Sequence, residues 1–271
     1  MQRALIAGIA VAITSSVVGL FLVLRRNSLF GDALSHAAFG GIAIGLATNI
    51  YPLWTGLTLS ILGAVGITKL RQSTKIPADA TVAILLSSGL ALGILLISLS
   101  GGFTLDLFSF LFGSIMLVSI EDTLAILAMT GIILSIIILL YRKLMYITFD
   151  EEQARFSGLP ISKLNYLFII LASVAVIVSM RLVGILLVSS LLVIPNVTAL
   201  LFNKGFRKTA LISVLISIFS VVMGIAISYA ANLAPAGTIV IVSTTMFLTV
   251  LAARHHSKKK QIVKKLEEAR N

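Results

Sequence analysis

The sequence predicts an all-α protein, a polytopic helical bundle in a membrane, with about nine spans and one short re-entrant segment. Three observations carry this. Hydrophobic residues make up 58% of the 271 and charged residues 11%, against about 45–50% and about 25% in average soluble domains. Mean hydropathy is +1.10, more apolar mass than a surface facing water tolerates and the opposite of a disordered chain. The basic residues fall in clusters between apolar runs, and most runs reach the length of about 20 residues that crosses a bilayer.

In order, the runs are Ala4–Leu24, Asp32–Thr48, Leu53–Leu70, Ala80–Leu99, Thr123–Tyr141, Leu164–Met180, Leu182–Phe202, Thr209–Ala231 and Ala236–Ala253. The first resembles a signal peptide only in position. It is long enough to span, lacks a clear small-x-small cleavage site, and is followed by further spans. Leu105–Ser119 is short for a crossing and reads as a re-entrant or interfacial piece. Small-xxx-small pairs at Gly41/Gly45 and Gly89/Gly93 permit close helix contacts. Pro195, inside the seventh run, is expected to kink or break that helix.

Five basic clusters set the orientation: Arg25-Arg26, Lys69 to Lys75, Arg142-Lys143, Lys204 to Lys208, and the tail from Arg254. All five lie on the cytoplasmic side if the N-terminus is outside, the C-terminus is inside and Leu105–Ser119 does not cross. The outer links Asn49–Pro52, Ser100–Thr104 and Asn232–Pro235 then carry no Lys or Arg. Arg181 is outside this pattern and reads as an interfacial snorkeler. The division is a transmembrane domain, residues 1–253, and a basic cytoplasmic tail, residues 254–271. The formal net charge of +11 is therefore a topology signal and a contact for anionic membrane lipid, not a nucleic-acid signal. There are no cysteines, which excludes disulfides and thiolate metal ligands.

Ionisable groups inside spans are costly and mark function. Glu267 and Glu268 fall in the tail, and Asp150, Glu151 and Glu152 in a cytoplasmic insertion. Asp79 follows Pro77 as an expected helix cap. Asp106 falls in the short segment. Glu121-Asp122 precedes the fifth run, where negative charge suits a helix N-terminus. What remains is Asp32, with His36 the only histidine inside an apolar run; His255 and His256 lie in the tail. Four residues apart on a helix, Asp32 and His36 share one face. A carboxylate and an imidazole at that spacing can grip a divalent ion such as zinc or manganese. The alternative is local: Asp32 caps the helix and His36 bonds to it or to a backbone carbonyl.

Two cytoplasmic stretches suggest docking. Thr148–Pro160 reads as a short helix with an acidic first turn and a Gly-Leu-Pro stop. The stretch after Pro195, to Arg207, reads as a short amphipathic piece. The chain carries no phosphate-binding loop, zinc-protease motif or nucleophile elbow, and so no motif for hydrolysing ATP.

Several pieces, in order, resemble the membrane permease of metal-uptake ABC transporters of the zinc, manganese or iron(II) type. They are Gly19–Arg26 with Gly31-Asp32-Ala33-Leu34-Ser35-His36-Ala37, then Leu111-Phe112-Gly113-Ser114-Ile115, then Phe149–Ala154 with Gly158. Val183–Val188, Ile194-Pro195 and Pro235-Ala236-Gly237 complete the series. The Gly-Asp-Ala-Leu-Ser-His string is the most specific.

The resemblance implies a homodimeric permease, ABC ATPase subunits on the cytoplasmic face and an extracytoplasmic metal-binding protein. The metal is cargo, zinc or manganese foremost, and no cofactor is bound permanently. Asp32 and His36 become candidate ion contacts. Pro195, Asn196, Thr198, Ala199, Lys204, Gly205 and Arg207 become the main ATPase-coupling residues. Asp150, Glu151, Ala154 and Gly158 become a secondary cytoplasmic contact. Asn196 departs from the small residue expected after the proline. The competing readings are an ion-coupled secondary transporter, an ABC permease for another metal or chelate, and an intramembrane enzyme.

Overall fold

The computed structural model describes residues 2–73, 76–99, 110–113 and 119–268. Within them the chain is helical. The helices are α1 (Gln2–Leu24), α2 (Phe30–Thr48), α3 (Pro52–Ser73), α4 (Ala78–Leu99), α5 (Ile120–Phe149), α6 (Glu151–Phe156), α7 (Ile161–Val183), α8 (Val188–Leu200), α9 (Phe206–Ala231) and α10 (Pro235–Glu268). A 3-10 turn, Ile185–Leu187, joins α7 to α8. Most of the expected short segment Leu105–Ser119, the Arg181 side chain and the side chains of the distal tail lie outside the described residues.

Eight of these helices are long and apolar enough to cross a membrane. The expected seventh run needs correction. Leu182–Phe202 is not one helix. The chain breaks at Gly184, and α8 has 13 residues, about 20 Å against a hydrocarbon core of about 30 Å. Gly184 adopts φ 77° and ψ 161°, a backbone region essentially reserved for glycine. Pro195, where the break was expected, lies inside α8. Packing of α8 against α1, and a bond from Asn196 Nδ2 to the Leu192 carbonyl at 2.7 Å, hold the helix there.

Other termini follow local chemistry. Ser119 caps α5 through a capping box with Asp122, so the acidic pair expected to favour a helix start does so directly. Asp79 lies within the first turn of α4 and does not cap it. Asn49 and Asn232 end α2 and α9 in the left-handed conformation, which asparagine tolerates.

The first helix is central. It packs against α5, α7, α8 and α9, and a stripe of hydroxyls reaches three of them. Thr14 donates to Thr130 Oγ1 of α5 at 3.0 Å, and Ser15 shares a bond with Ser179 of α7 at 2.8 Å. Ser16 donates to Ser213 of α9 at 2.8 Å. The second helix sits between α3 and α4, where glycines replace side chains. A Cβ on Gly41 would overlap the Thr55 carbonyl of α3, and one on Gly93 would overlap the Phe39 ring. Both small-residue pairs are therefore at close helix crossings.

The described parts of the basic clusters gather at one end of the bundle. Arg25, after α1, bonds Thr148 of α5 and Asn165 of α7. The end of α3, with Arg71, and the start of α4, with Thr81, line the same cavity as these residues. Phe206, opening α9, stacks on Phe21 and Tyr141. The helix α10 runs antiparallel to α9, pairing Thr238 with Gly224 and Met246 with Ser220, and so carries its basic end back to this side.

Candidate functional site

The candidate pair Asp32 and His36 is built by the start of α2. That helix begins at Phe30, with Leu29 in the cap position and no side-chain capping bond. Asp32 is therefore inside the first turn, and the local alternative of an aspartate cap is not formed. Ser35 Oγ donates to the Asp32 backbone carbonyl at 2.8 Å. His36 follows one turn on, and both Asp32 and His36 are half-buried. Ala33, Leu34 and Ala37 around them are fully packed, which fixes the direction of this face. The His36 Nδ1 atom is buried and has no hydrogen-bond partner. A buried polar atom left without a partner costs about 1–3 kcal/mol and calls for a ligand. Across the helix, the His36 carbonyl lies against Gly89 of α4. Among the described residues no group of three or more His, Cys, Asp or Glu side chains comes together. As a candidate metal site one chain thus offers at most this pair, short of the usual four ligands for zinc.

The docking stretches both lie at the basic end. Asp150 caps α6, accepting from the Gln153 amide at 2.8 Å. Glu151 and Glu152 follow in the first turn, where negative charge suits the helix dipole. Ala154 anchors α6 in a small apolar cluster with Ile147, Ile161 and Leu164. Asp150, Glu151 and Gly158 stay exposed, and Phe156 is 88% exposed. Gly158 turns the chain at φ 76°.

The second stretch divides. Pro195, Asn196, Thr198 and Ala199 are buried, while Lys204 and Gly205, just before α9, and Arg207, in its first turn, are exposed. The buried half supports and the exposed half is free to touch a partner. Asn196 bridges them to the core: its Oδ1 accepts from Ser213 Oγ at 2.6 Å, and Ser213 in turn accepts from Ser16. Gly19 of α1 makes room, because a Cβ there would overlap the Leu192 carbonyl.

Sequence reasoning missed the joint between the two stretches. The Phe206 ring lies 5.3 Å from Phe21, 5.6 Å from Tyr141 and 6.2 Å from Phe149, centroid to centroid. It thereby ties the turn at Lys204 to the helix leading into α6. The only available signal was an aromatic beside a basic cluster, which is commonplace at membrane interfaces. Arg25 was read as topology alone, yet its side chain is largely buried, and burial pushes its pKa down to about 10, opposed in part by Glu151.

The described chain is thus a polytopic helical bundle with a half-buried Asp–His pair in one candidate span and exposed polar elements at its basic end, the architecture of a multi-pass membrane protein. The chain belongs to the ABC 3 transport family, which it matches over residues 1–254. It is 33% identical over 247 residues to the manganese transport system membrane protein MntC of Halalkalibacterium halodurans, covering 91% of this chain and 85% of that one. It is 32% identical over 244 residues to the high-affinity zinc uptake system membrane protein ZnuB of Buchnera aphidicola, covering 90% and 94%. Its fold is similar to PsaBC from Streptococcus pneumoniae in complex with Fab, with TM-score 0.83 and 32% identity, covering 92% and 90%. The chain is thus a multi-pass permease subunit of an ABC transporter, and ATP hydrolysis belongs to a separate subunit.

Proposed function

We propose that this permease imports a divalent transition metal, manganese or zinc, and works as a homodimer with its basic end in the cytoplasm. The observation that carries the site is the unpartnered, buried His36 Nδ1 one turn from Asp32. Asp32 supplies charge; His36 supplies a nitrogen ligand that prefers a transition ion to Mg²⁺. Two further ligands come from the same pair in a second copy, related by a twofold axis. Relatives named for manganese and for zinc support both ions, and Asp–His sites accept either.

A metal-binding protein delivers the ion outside. The partner ATPases dock on the exposed residues Lys204, Gly205 and Arg207 at the start of α9, and on α6 through Asp150, Glu151 and Phe156. Their ATP-driven closure pushes this surface, and the bundle alternates its access around α2. The test is uptake of radioactive manganese and zinc by the whole transporter in vesicles. Asp32→Ala and His36→Ala are expected to abolish uptake while the ATPase still turns over. Wild-type uptake by both variants overturns the site.

A further inference from the structure

At the basic end, a cavity of about 370 Å³ opens between the ends of α1, α3, α5 and α7. We infer that it holds the phosphate of an anionic phospholipid headgroup, with Arg25 as the principal contact. This goes beyond the transport reading and does not depend on which ion is carried.

The argument begins with how Arg25 is held. Its Nε donates to Thr148 Oγ1 at 3.0 Å and its Nη1 to Asn165 Oδ1 at 2.9 Å. The guanidinium lies over the Phe168 ring, 4.6 Å from the centroid. Three contacts from two helices thus fix the plane of the fork. The remaining Nη2 is buried and has no hydrogen-bond partner. Glu151 lines the cavity without bonding that nitrogen, and Arg71 adds a second guanidinium from the end of α3. The wall therefore presents one fixed positive charge, Arg25, a second on the exposed Arg71, and one negative charge.

That balance suits an anion. A divalent metal would be repelled by two guanidiniums, so the cavity is not a waiting place for the cargo. A fixed guanidinium with a free donor matches phosphate oxygens, which accept the planar fork. Asn27 supplies a further amide. The remaining wall is mostly apolar, with Leu22, Phe30 and Ile147 beside Thr68 and Thr81, and suits glycerol and the first acyl carbons. The cavity lies where membrane helices end, at headgroup depth, where basic pockets between helices bind acidic lipid.

The experiment uses the permease purified with its ATPase in a zwitterionic detergent. The probes are phosphatidylglycerol, phosphatidylcholine of the same chains, and inorganic phosphate, read by thermal melting and by lipid retained in native mass spectra. Phosphatidylglycerol is expected to stabilise the wild type and be retained; phosphatidylcholine is not. Arg71→Gln, at an exposed position, weakens phosphatidylglycerol binding about fivefold, the effect of one surface cation. Arg25→Lys keeps the charge, loses the fork and weakens it at least as much. Equal stabilisation by inorganic phosphate overturns the lipid as source. Phosphatidylglycerol binding unchanged in both variants overturns the site. Binding seen only after the ATPase is stripped away overturns it too, because the cavity then faces an acidic segment of the partner.

Discussion

Gly113 and Gly184 meet backbone to backbone, each at positive φ, 73° and 77°. A Cβ on Gly113 would overlap the Leu182 carbonyl, and one on Gly184 would overlap the Gly113 nitrogen and the Leu111 carbonyl. This contact seals the helix break between α7 and α8. The break is buried, with Leu182, Val183 and Ile185 each almost fully enclosed. Irregular backbone is tolerated at membrane depth only under such cover.

Gly184→Ala is therefore expected to destabilise far more than Gly158→Ala. Both sites have positive φ, which costs about 1–2 kcal/mol for an L residue. Only Gly184 also meets backbone; nothing lies within 4 Å of a Cβ on Gly158. Overpacking adds about 1–3 kcal/mol. Denaturation midpoints of the purified variants check the ordering, and equal losses would contradict the packing account.

Much of the bundle is legible in the sequence because span length and charge placement are direct consequences of the bilayer. The position of Asp32 and His36 together on one helix is legible for the same reason, since few ionisable residues fall inside apolar runs. The break at Gly184 was not, because glycine and proline both interrupt helices and only tertiary context ranks them. Gly184 breaks since its partner Gly113 lies over 70 positions earlier. Pro195 does not, since Asn196 and α1 hold the helix around it. The hydroxyl stripe Thr14, Ser15 and Ser16 was equally opaque. Its partners Thr130, Ser179 and Ser213 are ordinary small polar residues until folding aligns them.

Asn196 fills a place where a small residue was expected, and the bonds explain it. It donates to Leu192 and accepts from Ser213, which accepts from Ser16. Asn196→Ala removes the buried partner of the Ser213 hydroxyl and is expected to cost about 1–3 kcal/mol. Ser16→Ala and Ser213→Ala are expected to be non-additive, with coupling of about 0.5–1.5 kcal/mol across α1 and α9. A double-mutant cycle on chemical denaturation measures it. Strict additivity would mean that the chain of bonds does not form.

Phe206 is expected to govern how ATP use is spent on transport. Its ring joins α1, α5 and the exposed turn, through contacts worth about 0.5–1.5 kcal/mol each. Phe206→Ala should raise the ATP hydrolysed per ion moved, and Phe206→Leu should restore most of the coupling by keeping apolar volume. Parallel transport and ATPase measurements in vesicles give the ratio. A purely structural role would lower the melting temperature of both variants and leave the ratio unchanged.

Gly89 lets α4 lie against the backbone of the proposed ion site. A Cβ there would approach the His36 carbonyl at 2.6 Å and the Ala37 backbone at 2.7 Å, and neither can yield without moving α2. Gly89→Ala is expected to displace the turn carrying His36 and to cut metal uptake about tenfold or more, since small misplacements of a ligand set cost that much. Gly66 on α3 is the control. Nothing lies within 4 Å of a Cβ there, and alanine gains up to about 1 kcal/mol of helix propensity. Gly66→Ala should therefore keep full uptake and melt at the same temperature or higher. Uptake against external metal concentration, measured for both variants at matched membrane abundance, separates them. If Gly89→Ala transports like the wild type, α2 is not held in register by this crossing, and the site's geometry must be set from another face.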